Sequence, residues 1–327
     1  MSRISRTVTP NLHDGLYDSE FSSGNASQSL QTIACSIRKV FCVDFYITYP
    51  FDPAARITSN DIRTAQFKRK SLGTISSHQT TSGTATVILN RQHHLALITC
   101  AHILDAKDTI ISCFPPTGED PYPYIKSISL REKQEIYVKD LPECGTFNIL
   151  ATDPEHDLAI LGKHCEGTMD SIPVFEYPSG HATELGMGSL VYIIGYPMGN
   201  LMVTRGIVST MNNRSAANFS VDALLNKGYS GGIILAIRDG LPNFELVGII
   251  KSMSTRVYYY LKPEKGVYET HYNEFIPFTD PVYVGTEESV NYGINFVVPI
   301  ETISEFYTKN RSALVAQGYN LDSFFKK

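Results

Sequence analysis

The sequence predicts an all-β fold that ends in a helical tail. Short apolar runs separated by Gly, Asn and Pro turns recur through most of the 327 residues, the pattern of a sandwich or barrel. Within these runs β-branched and aromatic residues dominate, as at Val40, Phe41, Val43, Phe45, Ile47 and Tyr49. The pattern changes after Pro299, placed as a first-turn helix proline would be, where 301–309 and 311–325 read as helices.

Residues 1–28 are polar and Ser/Asn-rich, and read as a flexible tail with too little to bury. From 33 to 49 the composition is strongly β, and Pro50-Phe51-Asp52-Pro53 supplies a turn. Residues 54–79, with Lys68-Arg69-Lys70, read as a solvated loop. The runs 83–89 and 95–99 form a hairpin across 90–94, with His93 and His94 exposed at its tip. Residues 103–156 are generous for one barrel segment. They are expected to form extended hairpins, with a turn at Pro115-Pro116-Thr117-Gly118 and a strand at Glu135-Ile136-Tyr137-Val138. Residues 173–183, with Pro178-Ser179-Gly180, read as an interdomain linker. Segment 253–289 breaks the rhythm and is rich in tyrosine (Tyr258, Tyr259, Tyr260, Tyr268, Tyr272).

Chemistry concentrates in Gly228-Tyr229-Ser230-Gly231-Gly232, a serine in a tight glycine turn just before the apolar run Ile233-Ile234-Leu235-Ala236-Ile237. A serine hydroxyl is a weak nucleophile; it needs a base for its proton and N–H donors for the oxyanion that follows attack. Upstream stand Thr99-Cys100-Ala101-His102 and Asp157-Leu158-Ala159-Ile160-Leu161, each beside an apolar run. Asp153 competes with Asp157, but Asp153-Pro154 reads as a turn whereas Asp157 leads into a strand. His156 reads as solvent-facing.

In these motifs and their order His, Asp, Ser, the chain resembles trypsin-like serine peptidases. The bacterial HtrA/Deg branch is the nearest pattern. Ile193-Ile194-Gly195-Tyr196-Pro197-Met198-Gly199, Val203-Thr204-Arg205-Gly206-Ile207-Val208-Ser209, Leu246-Val247-Gly248-Ile249 and Tyr292-Gly293-Ile294-Asn295-Phe296-Val297-Val298-Pro299 extend the likeness. The resemblance implies two antiparallel six-stranded β-barrels, a chymotrypsin-like double barrel. Residues 29–172 would carry His102 and Asp157, residues 184–299 would carry Ser230, and 300–327 would be helical. It implies Ser230 as nucleophile, His102 as base then acid, Asp157 as the group that orients His102, and the N–H groups of Gly228 and Ser230 as the oxyanion hole. Leu224 and Leu225 would lie near the floor of the pocket for the residue before the cleaved bond (P1), favouring an apolar residue there. Ile249, Ile250 and Lys251 would pair with an extended protein or peptide substrate. The chain departs from the pattern where Tyr229 replaces Asn or Asp and Lys227 replaces Pro, so the oxyanion loop is expected to order on demand. No stretch remains for the PDZ domain usual in the HtrA branch. A peptide-binding pseudoprotease and an esterase are the alternative readings.

Charged residues make up 19% and the net charge is −5, so nothing recommends nucleic acid as a partner. No run reaches the roughly 18 apolar residues of a membrane helix. Residues 1–29 hold no signal-peptide core, so a cytoplasmic location is expected. The six cysteines, Cys35, Cys42, Cys100, Cys113, Cys144 and Cys165, have no Cys-x-x-Cys spacing and are expected to stay reduced. Ile103 follows His102, where animal trypsins have a disulfide partner. No metal-ligand cluster or cofactor motif is visible. Gly186-Met187-Gly188 continues as Ser189-Leu190-Val191, without the third glycine of a dinucleotide fingerprint.

Overall fold

The computed structural model describes residues 14–19, 24–114, 124–166, 172–211, 219–263 and 282–325. The first half of the chain contains β1 (Ile37–Pro50), β2 (Ile75–Arg91), β3 (His94–Thr99), β4 (Thr109–Cys113), β5 (Ile125–Val138), β6 (Asn148–Asp153) and β7 (Leu158–His164). The second contains β8 (Leu190–Gly195), β9 (Met202–Met211), β10 (Phe219–Asp222), β11 (Ile233–Ile237), β12 (Phe244–Pro263) and β13 (Val282–Pro299). Helices α1 (Ser27–Ala34), α2 (Ser59–Arg63), α3 (Phe67–Lys70), α4 (Ile300–Ala316) and α5 (Asp322–Phe325) lie between and after them.

The fold is all-β, as expected, and every named strand pairing is antiparallel. The second half closes into a six-stranded barrel in the order β10-β13-β12-β11-β8-β9. The first half is a half-barrel of seven strands rather than six, ordered β4-β5-β1-β2-β3-β7-β6. The generous stretch after His102 supplies the extra strand: β4 caps the edge by pairing with β5 from Thr109 to Cys113. The expected turn at 115–118 lies outside the described residues, as do 1–13 and 20–23.

Alternation places the core. Along β1, Val40, Cys42 and Tyr46 turn inward, while β3 and β7 are buried on both faces and read as continuous apolar runs. One large cluster of buried apolar residues spans both halves and takes in Ile303, Phe306, Leu314 and Phe324 from the C-terminal helices; a smaller one lies under α2 and α3. Residues 173–183 are pinned at both ends. The Phe175 N–H donates to the Val87 carbonyl, and the Leu246 N–H to the Pro178 carbonyl.

Several local expectations change. The segment read as a flexible tail is anchored at Tyr17, which is buried, lies against the Arg238 guanidinium and donates its hydroxyl to Glu245 at 2.6 Å. Arg238 and Glu245 are paired beneath the ring, and the backbone shares the anchoring: the Asp18 N–H donates to the Ile237 carbonyl and the Leu190 N–H to the Asp18 carbonyl, each at 2.9 Å. The loop at 54–79 holds α2 and α3, since Ile57 and Phe67 bury against Phe51, Ile125 and Ile128; Lys68-Arg69-Lys70 stays exposed. The break expected near residue 310 is absent. Helix α4 runs on to Ala316, with the Asn310 side chain turned back onto the Phe306 carbonyl at 2.9 Å instead of competing for the chain as a turn. Segment 253–289 continues β12 and β13 as a paired ribbon from Thr255↔Val290 out to Pro263↔Val282. Tyr268, Tyr272, Glu264, Glu269 and Glu274 lie outside the described residues. Among those described, no helix is long and apolar enough to cross a membrane.

If α4 belongs to the barrel core, Phe306→Ala leaves a cavity and costs about 3–5 kcal/mol. Equilibrium urea denaturation measures it, and a loss under 1 kcal/mol would show that the helix is an appendage.

Candidate active site

His102 sits in a single 3-10 turn, 101–103, at the end of β3. Three bonds run from this turn to one residue at the head of β7. The Ala101 N–H donates to the Asp157 carbonyl at 3.2 Å, the His102 N–H to Asp157 Oδ1 at 2.8 Å, and His102 Nδ1 pairs with Asp157 Oδ2 at 2.7 Å. A carboxylate only accepts, so Nδ1 carries the proton and Nε2 is left with its lone pair. Asp157 has φ +62, a left-handed conformation that Asp tolerates better than most residues. That turn aims its carboxylate at His102 instead of along the strand. The Asp157 side chain is buried, whereas that of His102 is 44% exposed. A cavity of about 250 Å³ opens beside the pair, lined by His102, Asp105, Ile149, Pro154 and Asp157 among others.

Asp153 makes a parallel arrangement with a different histidine. His156 Nδ1 lies 2.8 Å from Asp153 Oδ2, and the His156 N–H reaches Oδ1 at 3.1 Å. Burial pushes the Asp153 carboxyl up, but these bonds outweigh it and hold it below the usual carboxylate range. His156 is therefore half-buried and bonded, not free in solvent.

Ser230 lies in the turn before β11. Gly228, at φ +111, turns the loop in a conformation an L side chain resists, and a Cβ there would meet the Tyr196 carbonyl oxygen at 2.4 Å. Among the described residues the N–H groups of Gly228 and Ser230 have no backbone acceptor, while those of Tyr229, Gly231 and Gly232 do. Tyr229 is fully buried, against Gly195, and its phenol is pushed up by burial. It anchors the loop by packing where the related motif has a hydrogen-bonding side chain. Among the described residues the Ser230 hydroxyl makes no hydrogen bond, to His102 or to any other group.

What joins the Ser230 loop to the His102 turn is Thr84 on β2, a residue absent from the sequence-level reading. Its N–H donates to the Ser230 carbonyl at 2.8 Å and its hydroxyl to the Gly228 carbonyl at 2.7 Å. The hydroxyl also accepts the Tyr196 N–H at 2.8 Å, and the Thr84 carbonyl accepts from the Thr99 hydroxyl at 2.7 Å. Gly83 beside it has no room for a side chain, because a Cβ would collide with Ile103 and with the Ser230 carbonyl oxygen. The one available signal was Ser-Gly-Thr at the start of an apolar run. Without coordinates it looks like any strand entry.

The expected substrate-contact residues divide. Leu225 is buried in the core, whereas Leu224 is 74% exposed, so adjacent side chains point opposite ways and do not share a pocket floor. Ile249 and Ile250 cannot offer backbone groups to an added strand. Ile249 pairs with Ile233 on one side and Val298 on the other. The Ile250 N–H donates to Gly232, and its carbonyl accepts from Gly231 and from the Cys100 thiol. The free edge begins at Lys251, whose Nζ donates to the Glu155 carbonyl at 3.2 Å.

Cys100, His102 and Asp157 bring one potential metal-ligand atom each to within 4.8 Å of one another. The donor set fits a metal poorly. His102 Nδ1 and Asp157 Oδ2 are spent on each other, and burial, then the Asp157 charge, push the Cys100 thiol far above its ordinary value.

The family model of the trypsin-like peptidase domain matches residues 83–249. No curated protein matches the chain.

Thr84→Val keeps the shape and removes the hydroxyl, leaving the Gly228 carbonyl and the Tyr196 N–H unpaired. Each buried orphan costs about 1–3 kcal/mol. Thermal and urea unfolding should place Thr84→Val well below Thr84→Ser, which retains the hydroxyl; equal stability of the two would remove Thr84 from this role.

Proposed function

The chain belongs to the trypsin-like peptidase domain family, and on that premise we propose that it is a serine endopeptidase acting on polypeptides through Ser230, His102 and Asp157. The observation that carries this reading is the oriented pair. His102 Nδ1 is held by Asp157 at 2.7 Å, so Nε2 is the basic nitrogen, on a side chain that is 44% exposed. In this reading His102 takes the Ser230 proton as the hydroxyl attacks a peptide carbonyl. Asp157 keeps the ring in the required tautomer and stabilises it once protonated. The N–H groups of Gly228 and Ser230, which have no backbone acceptor among the described residues, receive the oxyanion. His102 then returns the proton to the leaving amine, and water repeats the sequence on the acyl-enzyme.

The HtrA-like character rests on the motifs around His102, Asp157 and Ser230. Control by ordering of the oxyanion loop would act on a loop that buried Tyr229 already anchors. For specificity the proposal is an apolar P1 residue. Exposed Leu224, with Ile294 and Ile207 also exposed on the same barrel, offers methyl groups to such a side chain. A second reading, a peptide-binding pseudoprotease, draws on the missing hydrogen bond from the Ser230 hydroxyl. Catalytic bonds often tighten only when substrate arrives, so the first reading stands ahead.

A fluorophosphonate probe should label the purified protein at Ser230, with EDTA making no difference, and Ser230→Ala should lose labelling and peptide turnover by several orders of magnitude. A folded parent that is neither labelled nor active would favour the pseudoprotease. Profiling with a peptide library should return apolar P1 residues. Arg or Lys at P1 would need a counter-charge, because burying an unpaired cation costs several kcal/mol or more; a library dominated by those residues would overturn the apolar assignment.

A further inference from the structure

Between β8 and β9 the chain makes one tight turn, and that turn touches the Ser230 loop on one side and β1 on the other. Pro197–Gly199 form a 3-10 turn in which Met198 takes a left-handed φ of +50. The Met198 N–H donates to the Lys227 carbonyl at 3.1 Å. A Cβ on Gly228 would lie 2.4 Å from the Tyr196 carbonyl oxygen and 3.1 Å from the Pro197 Cα, so the turn abuts one of the two oxyanion donors proposed above. On the other side, a Cβ on Gly199 would lie 2.9 Å from Lys39 Nζ. The ammonium of this β1 residue therefore rests on the turn.

Lys39 has cationic neighbours. The Lys139 N–H donates to the Lys39 carbonyl at 2.8 Å, and the Lys139 ammonium stands 5.6 Å from the centre of the Tyr196 ring. The Arg38 guanidinium donates to the Cys35 and Ile37 carbonyls. Its charge acts on the Tyr196 phenol, opposing the burial that pushes that phenol up, and Asp140 is the acid that acts on the same ring. Three cations thus share this corner with one carboxylate. Among the described residues neither the Lys39 nor the Lys139 ammonium has a hydrogen-bond or carboxylate partner. Each lies over an aromatic ring instead, Lys39 at 4.4 Å from the centre of Phe41. A ring face holds a cation in place without cancelling its charge.

We infer that Arg38, Lys39 and Lys139 form a carboxylate-recognising rim for the part of the substrate that follows the cleaved bond. The inference rests on the peptidase reading above and deepens it. Position selects the segment. The Val221 and Ala223 carbonyls accept from the Asn295 side chain at 3.1 and 2.9 Å, and a Cβ on Gly206 would meet the Asp222 carbonyl oxygen. The residues leading into Leu224, proposed above to meet the P1 side chain, therefore face β9 and β13. The turn at 196–199 meets Gly228 from a different side, that of β1 and β8. A chain with its carbonyl at the oxyanion donors and its P1 side chain toward Leu224 sends its leaving part past this turn. At about 3.3 Å per extended residue, the second and third residues after the bond come within reach of the long Lys39 and Lys139 side chains. The substrate class this fits is a polypeptide that presents carboxylates there, as acidic side chains or as its own C-terminus. Complementary charge at such a rim selects among substrates and speeds their encounter.

The test uses fluorogenic peptides identical up to the cleaved bond. One carries Glu at the second and third positions after it, one carries Gln there, and both end in an amide. A third keeps Gln and ends at the third position with a free carboxylate. At low ionic strength the Glu peptide should exceed the Gln peptide about fivefold in kcat/KM, because exposed ion pairs are each weak. About 0.5 M salt should bring that ratio below about twofold on the unaltered protein. Lys39→Glu with Lys139→Glu should push the ratio below one, whatever the absolute rate. Lys139→Glu alone, at an exposed position, should lower it partway and serves if the double variant does not fold. A gain from the free C-terminus without one from Glu supports the rim and names the chain end as its ligand. Equal kcat/KM for all three peptides, or a Glu preference that survives both salt and charge reversal, overturns the rim and leaves the peptidase standing. An equal gain from Glu placed before the cleaved bond overturns the assignment to the leaving segment. Fluorescence anisotropy of the labelled Glu and Gln peptides on Ser230→Ala separates binding from chemistry. Tighter binding of the Glu peptide, lost on charge reversal, with no turnover in the parent, keeps the rim and rejects the peptidase. Equal binding of the two without turnover rejects both.

Discussion

Thr84 is the point on which the geometry of the site depends. It is fully buried, and within one residue it ties the Ser230 carbonyl, the Gly228 carbonyl, the Tyr196 N–H and the Thr99 hydroxyl together. Ser230, Gly228 and Tyr196 belong to the barrel, and Thr99 precedes the His102 turn on the half-barrel. The two halves also share an apolar core, but burial is non-directional and sets no distance between a serine and a histidine. Hydrogen bonds made away from water do, because every misplaced partner becomes a buried orphan. Cys100 repeats the device on a smaller scale, donating its thiol to Ile250 across the same boundary.

The His102–Asp157 pair is built more locally and over-determined. Three bonds fall on one aspartate, and two of them come from backbone N–H groups, which have no rotamers to lose. That redundancy lets Asp157 hold a left-handed backbone, a conformation that costs on the order of 1–3 kcal/mol. Asp153 and His156 show that proximity of the two residue types is not enough. They form a pair at 2.8 Å on the neighbouring turn, and among the described residues no glycine-serine loop is tied to it.

Tyr229 and the ribbon are where the chain departs furthest from the related pattern. A buried aromatic ring substitutes packing for a polar anchor, and packing against Gly195 limits what the loop can do without disturbing the barrel. The barrel takes up the backbone groups of Ile249 and Ile250, and β12 and β13 run on beyond it as a paired ribbon from Thr255 to Pro263.

Much was legible from residue order alone. Alternation and turn chemistry marked the all-β class, since side chains on a strand must alternate between core and solvent. The Gly-x-Ser-Gly-Gly turn, the histidine after an apolar strand and the aspartate at a strand head could be found because each needs a local backbone shape with its own residue preferences. The seventh strand of the half-barrel, the anchoring of Tyr17, the role of Thr84 and the opposed directions of Leu224 and Leu225 were not legible. Each depends on groups far apart in the chain meeting at one place: Tyr17 with Glu245, Thr84 with Ser230, β12 with β13. Local propensity says which residues can form a strand or a turn. Only the closure of the barrel decides which carbonyl a threonine meets and which strand edge is left without a partner.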